Sequence, residues 1–188
     1  EGAVHRIAIA GIAAKNGNLD ANLVYSHDFM DCDAGGLSAI KSEIQSIEMG
    51  GVGKGDSSNY SAGLKKANEF INSATRDSVK IVIVFGDGSA GGVSMGGLDD
   101  DSFNHAITQA NAIKTSATIY TVGVFEGADA SKAPSYGEFQ DIRNTFLQYL
   151  SSNYPNVTDI EQGGTPAEGE SDYYLASENY ADLDKLFQ

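Results

Sequence analysis

The chain has 188 residues, of which 41% are hydrophobic and 20% charged, a balance that is typical of one globular domain with a sizeable core. Its 12 basic residues stand against 26 acidic ones, and the formal charge of −14 disfavours nucleic acids and anionic membrane surfaces as partners. The sequence contains neither an apolar run that predicts membrane insertion nor a signal peptide, and it does not begin with methionine, so we expect a processed or excised piece.

Cysteine and histidine give little support for catalysis or for zinc binding. The single cysteine, Cys32, excludes an internal disulfide and a cysteine-based zinc cage. The histidines, His5, His27 and His105, lie far apart and form no pair at helical spacing, so we expect structural or exposed roles for them. So little cysteine is compatible with the cytosol and with a Gram-positive bacterial surface alike.

The first part of the sequence predicts a strand, a short strand and a helix. RIAIAGIAA, at 6–14, is apolar nearly throughout, which favours a strand buried on both faces of a parallel sheet. NLVYS, at 22–26, predicts a short strand beside it. Four apolar residues from Leu37 to Ile47, spaced at three, four and three, predict a helix.

A glycine-rich loop and a second helix come next. The loop, GGVGKGDSSN, occupies residues 50–59, and the helix after it carries apolar side chains from Tyr60 to Ile71. Asp56, Ser57 and Ser58 are the candidate caps of this helix.

The second half of the chain continues the alternation of strands and helices. The β-branched run VKIVIVF, at 79–85, predicts the central strand, and three acidic residues after the next loop predict a helix N-terminus. We expect the remaining elements to be a helix carrying Phe103 to Ile113, a strand at 118–125, a helix carrying Phe139 to Leu150, an irregular surface loop at 151–171, a short strand at 173–177 and a closing helix from Tyr180 to Phe187.

This alternation predicts an α/β fold. Buried strands separated by amphipathic helices are typical of a doubly wound, mostly parallel sheet with helices on both faces. No internal repeat or long linker divides the sequence, so we expect a single domain over residues 1–188. In such sheets, ligands bind beyond the carboxyl ends of the strands, which is where the glycine-rich loops at 50–59 and 86–92 are expected.

The loop GDGSAGG, which follows the central strand, favours neither a hydrolase nor a phosphate site. It resembles an esterase elbow around Ser89, but the residue two positions before Ser89 is Asp87 instead of glycine, and no histidine follows His105. A serine hydrolase that uses Ser89 is therefore a minor alternative. The other loop, GGVGKGDSS, lacks the spacing of a Walker phosphate loop.

Oxygen ligands for a hard cation are the third interpretation of these loops. Asp87 ends a strand and Ser58 precedes a helix, so their oxygens can converge on Mg²⁺ or Ca²⁺ at one edge of the sheet. The structural alternatives are a helix cap for Ser58 and a turn carboxylate that bonds nearby N–H groups for Asp87.

Four blocks in the same order resemble a von Willebrand factor A (VWA) domain. They are DSSNYSAGLKKANEFI, VKIVIVFGDG, ATIYTVGVFEGA and YYLASENYADLDKLF, and the similarity covers essentially the whole chain. The stretches SSNYPNVTDI and GTPAEGESDYYLAS resemble the variants on Gram-positive surface proteins.

The resemblance implies a doubly wound fold that binds proteins, often through a metal-ion-dependent adhesion site. Ser58 matches the hydroxyl ligand of the family's second loop, and Asp87 matches the aspartate of its third loop. The first-loop pattern, Asp-x-Ser-x-Ser, has no match, and DCDAG at 31–35 lacks its serines. The implied ion is Mg²⁺, with Ca²⁺ or Mn²⁺ as alternatives.

The family's first strand and first helix are also without a match. That strand lies centrally in the family, between the strands that match 6–14 and 79–85, and the rival arrangement places RIAIAGIAA itself in the central position. We therefore expect a preceding segment, a cleaved fragment or a donor strand from a partner to supply a unit of roughly 30 residues.

The predicted function is a non-enzymatic adhesion or protein-binding module on the outside of a bacterial cell. The expected partner is a host or matrix protein whose carboxylate completes the coordination of the ion. The alternative is a structural subunit of a surface fibre that is completed by strand donation.

Overall fold

The computed structural model describes residues 5–14, 26–46, 57–90, 100–167 and 172–183. In these ranges the elements, in chain order, are β1 (Arg6–Ala10), β2 (Ala13–Ala14), β3 (Ser26–Asp31), α1 (Ala34–Ser46), β4 (Ser57–Ser58), α2 (Tyr60–Ser73), β5 (Ile81–Gly86), α3 (Asp100–Lys114), β6 (Thr118–Val124), α4 (Phe139–Leu150), β7 (Tyr174–Ser177) and a 3₁₀ turn (Tyr180–Asp182).

A three-stranded parallel sheet is the centre of the fold. β5 pairs with β6 from Ile81↔Thr118 to Gly86↔Gly123, and β6 pairs with β7 from Thr121↔Tyr174 to Val124↔Ser177. The long connections between these strands contain α3 and α4, as parallel pairing requires. The predicted α/β class with a parallel sheet is confirmed, whereas the single-domain boundary 1–188 stays a prediction.

The first predicted strand is wrong in its extent and in its pairing. Residues 6–14 form two short strands: β1 pairs antiparallel with β3, and β2 pairs antiparallel with β4. β1 is bulged between Ile7 and Ile9, and Ile7 is 41% exposed, so the run is not buried on both faces. The predicted short strand at 22–26 lies outside the described residues, apart from Ser26.

Four of the five predicted helices are confirmed where the structure describes them. In α3, every residue of the predicted face is buried, namely Phe103, Ala106, Ile107, Ala110 and Ile113. α1 is different, because among the described residues of its face Ile40 is buried while Leu37 and Ile44 are exposed; Ile47 lies outside the described residues. α2 packs against α3 and against β1, so α2 and α3 together connect the antiparallel pair to the parallel sheet.

The segment after α4 is irregular as predicted, but it is not a surface loop throughout. Val157 and Ile160 are buried in the same core as α3 and α4. Two asparagines of α3 hold the segment by hydrogen bonds. The Asn111 side chain donates to the Val157 carbonyl, and the Asn104 side chain accepts from the Ile160 N–H. The predicted closing helix begins as a short 3₁₀ turn, and its last residues lie outside the described part.

One edge of β5 is apolar and unpaired within the described part of the chain. The Thr118 N–H donates to the Lys80 carbonyl, so in this parallel ladder Ile81 and Ile83 direct their backbone groups away from β6. No described strand pairs with that edge. The Ile81 and Ile83 side chains are 57% and 53% exposed.

None of the described helices is long and apolar enough to cross a membrane.

Candidate functional site

Asp87 lies directly after β5, at the carboxyl edge of the parallel sheet. Its Oδ1 atom accepts a hydrogen bond from the Ser89 N–H at 3.0 Å, which folds the loop into a local turn. Asp87 thus makes the turn contact that the structural alternative predicts, and its role as a metal ligand stays a prediction. The side chain remains 49% exposed, so the carboxylate is still accessible from solvent.

Tyr60 links this loop to the start of α2. Its side chain is buried, and its hydroxyl accepts a hydrogen bond from the Gly88 N–H at 3.2 Å. Burial raises the pKa of Tyr60, and the negative charge of Asp87 raises it further. The phenol therefore stays neutral and keeps the β5–α3 loop against α2.

Glycine is required at two positions around this phenol. A Cβ atom on Gly86 would collide with the Tyr60 hydroxyl. Gly88 has a φ of +74°, and a Cβ there would lie 2.8 Å from the Arg143 carbonyl oxygen. The glycines on either side of Asp87 thus allow the loop to fit between α2 and α4.

Ser58 lies on β4, two residues before Tyr60, and is half-buried. It is not the helix cap, because the buried Asn59 has that role: its side chain accepts from the Ala62 N–H at 2.9 Å. The Asn59 N–H also donates to the Ile12 carbonyl, which fixes this junction against the residues after β1. Ser58 and Asp87 therefore lie on two segments that the hydrogen bond between Tyr60 and Gly88 joins, and no described hydrogen bond links Ser58 to Asp87 directly.

Arg143, on α4, is the cation that Asp87 meets in the structure. Its Nε–H donates to the Asp87 carbonyl oxygen at 2.5 Å, and its Nη2 lies 3.5 Å from the Asp87 Oδ2 atom. The guanidinium also lies 4.1 Å from the ring centre of Phe125 and 5.4 Å from that of Phe139. Only 11% of the Arg143 side chain is exposed, so salt bridge and aromatic contacts hold it firmly.

The donors at this edge fit a hard cation in type but not in number. A serine hydroxyl and a carboxylate are the oxygen ligands that Mg²⁺ prefers. The Asp87 carboxylate already attracts a positive group, since the guanidinium of Arg143 lies against it. No cluster of three or more His, Cys, Asp or Glu side chains occurs in the described residues, so an ion here would keep most of its waters.

Ser89 enters this arrangement through its backbone N–H, which is the donor in its described hydrogen bond, and His5 and His105 are exposed, as expected. Sequence reasoning missed Asn59 and Arg143. Asn59 is a favoured cap residue next to the predicted helix, so that signal was readable. Arg143 is 56 residues from Asp87, and no local pattern predicts such a pair.

Comparisons with known proteins show the fold and leave the family open. No family model matches the chain, and no curated protein matches it significantly. Among solved structures, the pilus adhesin SpaC from Lactobacillus rhamnosus GG is similar to it, with a TM-score of 0.61 and 13% sequence identity. The match covers 97% of this chain and 24% of that chain, so this chain spans about a quarter of the adhesin's length.

Proposed function

We propose that the chain is a protein-binding adhesion module of a bacterial surface protein, and that it acts outside the cell. The observation that carries the proposal is the half-exposed Asp87 carboxylate at the carboxyl edge of the sheet, where open α/β folds bind their ligands. The likeness to a pilus adhesin over nearly the whole chain supports the same assignment. The resemblance to VWA domains adds that the partner is a host or matrix protein.

A metal ion at this edge is the finer part of the proposal. Ser58 and Asp87 would hold Mg²⁺, or Ca²⁺ or Mn²⁺ in its place, and water would fill the remaining positions. A carboxylate of the partner would replace one of these waters. The net charge of −14 supports a cation between the two proteins, because an acidic partner group would otherwise be repelled.

Calorimetric titration with MgCl₂ tests the metal site. We expect the wild-type chain to bind one ion and Asp87→Ala to lose this binding, because the variant removes the only charged ligand proposed. Asp77→Ala is the matched control, since Asp77 is an exposed aspartate before β5, at the opposite end of the strand. Equal Mg²⁺ binding by wild type and Asp87→Ala would refute the site.

A second candidate function is a structural subunit of a surface fibre that is completed by strand donation. The open apolar edge of β5 favours it, because such an edge is a template for another strand. The strand would lie between β5 and β1, and would bring apolar side chains to cover Ile81 and Ile83. A preceding segment of the same protein is the other source of such a strand.

Residue-resolved hydrogen exchange tests strand donation. In the 188-residue chain we expect the Ile81 and Ile83 amides to exchange fast and those of Val82 and Val84 to exchange slowly, because only the latter point toward β6. In an assembled fibre all four should be slow. Fast exchange of Ile81 and Ile83 in the fibre would exclude this candidate.

A further inference from the structure

We infer that Arg143 is a built-in competitor for the cation site at Asp87, so that a divalent ion binds only as the guanidinium gives up the carboxylate. The inference concerns the regulation of the proposed metal site and rests on that proposal. Its starting point is the contact between Arg143 Nη2 and Asp87 Oδ2.

Arg143 is positioned to stay near Asp87 whether or not the carboxylate is paired. Its Nη1–H donates to the Gln140 Oε1 atom at 3.1 Å, and its Nε–H holds the Asp87 carbonyl oxygen. The ring of Phe125 supports the face of the guanidinium. These contacts do not involve the carboxylate, so they keep the positive charge in place while the Asp87 side chain exchanges partners.

A divalent ion and this guanidinium therefore compete for the Asp87 carboxylate. Oδ1 already accepts a hydrogen bond from the Ser89 N–H, so Oδ2 is the oxygen that is more available to an ion. Oδ2 is also the atom that faces Arg143. An ion on Oδ2 would replace the Nη2 contact, and the guanidinium, which its other contacts keep nearby, would repel the ion. By linkage, the arginine lowers the affinity of the ion by the same factor as the ion weakens the ion pair.

Mg²⁺ titration of three proteins tests the inference. We expect Arg143→Gln to bind Mg²⁺ about tenfold more tightly than wild type, a factor within the usual range for coupled sites. Arg143→Lys keeps the positive charge and should bind as wild type does, within about threefold. Arg76→Gln is the matched control, because Arg76 is an exposed arginine after α2, remote from the carboxyl edge.

The outcomes separate this inference from the metal site itself. If wild type binds Mg²⁺ through Asp87 but Arg143→Gln binds with equal or lower affinity, the competitor role is wrong and the site stands. If none of the proteins binds Mg²⁺, including Arg143→Gln, both are wrong.

A measurement without substitution keeps the inference testable if Arg143→Gln does not fold. The NMR signal of the Arg143 Nε–H group reports its surroundings directly. We expect saturating Mg²⁺ to shift this signal and leave that of Arg76 unchanged. An Arg143 signal that does not move while the Asp87 amide does would overturn the competitor role.

Discussion

Tyr60 is the residue that holds the two halves of the candidate site together. Its hydroxyl is the acceptor for the Gly88 N–H, and this contact is buried. We expect Tyr60→Phe to lower the free energy of unfolding by about 1–3 kcal/mol, because the N–H group is left without its partner inside the protein. Urea denaturation followed by far-UV circular dichroism measures the change.

The matched control for this change is Tyr180→Phe. Tyr180 is 74% exposed, so its hydroxyl is in water and its loss should leave stability unchanged. A Tyr60→Phe variant as stable as Tyr180→Phe would mean that the phenol does not support the Asp87 loop.

Lys114 is a half-buried lysine whose three N–H groups all have neutral acceptors. Its Nζ atom donates to the carbonyl oxygens of Tyr149 and Tyr154 at 2.6 and 3.0 Å and to Asn111 Oδ1 at 3.1 Å. Burial lowers the pKa of Lys114 from 10.5 to about 7. The side chain thus connects the ends of α3 and α4 to the buried irregular segment.

This shift gives the protein a pH-dependent stability. Above about pH 7 the folded chain has released the proton that the unfolded chain still holds, so unfolding takes up a proton and the free energy of unfolding rises with pH. We expect the rise from about pH 7 to 9.5, below the range in which tyrosines titrate. Urea midpoints across this range should increase for wild type and stay flatter for Lys114→Met.

The exposed Lys65, on α2, provides the control for this prediction. Lys65→Met should keep the wild-type slope, because an exposed lysine is not desolvated on folding. Parallel pH profiles for wild type and Lys114→Met would show that Lys114 does not cause the dependence.

At the level of elements, the helices were readable from the sequence because their apolar spacing matches the helical repeat. α3 shows this best, since its predicted face is its buried face from Phe103 to Ile113. β5 and β6 were readable for a related reason: both are β-branched runs bounded by turn-forming residues. In these elements local pattern and final packing agree.

The strands before α1 could not be predicted in the same way. β3 has the sequence SHDFMD, whose polar residues give no strand signal, and it forms because β1 supplies an antiparallel partner. The break of residues 6–14 into β1 and β2 depends on the pairing of β2 with β4, which lies more than 40 residues later. Contacts between distant segments determine both features, and no local window contains them.

The difference between α3 and α1 predicts different responses to the same substitution. Ile107, on α3, is fully buried in a core that also contains residues of α2 and α4, so Ile107→Ala should lower the free energy of unfolding by about 2–5 kcal/mol. Ile44 is 54% exposed on α1, so Ile44→Ala should have a small effect. Thermal unfolding of both variants measures the contrast, and equal losses would contradict the assignment of the core to α3.

For the molecule as a whole, the sequence predicted the position of Asp87 in the fold but not its surroundings. A glycine-flanked aspartate at the end of the most apolar strand was enough to place Asp87 at the carboxyl edge of the sheet, whereas a ligand at that edge stays a prediction. The positive charge of Arg143 beside it comes from another helix and was not predictable. At the carboxyl edge that the structure describes, the guanidinium of Arg143 therefore lies beside the candidate ligand Asp87 in a chain of net charge −14.

Paramagnetic NMR with Mn²⁺ tests this account most directly. Mn²⁺ takes the same oxygen ligands as Mg²⁺ and broadens nearby amide signals strongly. We predict that substoichiometric Mn²⁺ broadens the amides of Ser58 and Asn59 together with those of Asp87 and Gly88, and that excess Mg²⁺ restores them. Broadening that reaches Asp87 but not Ser58, or that reaches neither, would contradict a shared cation site at the edge of the sheet.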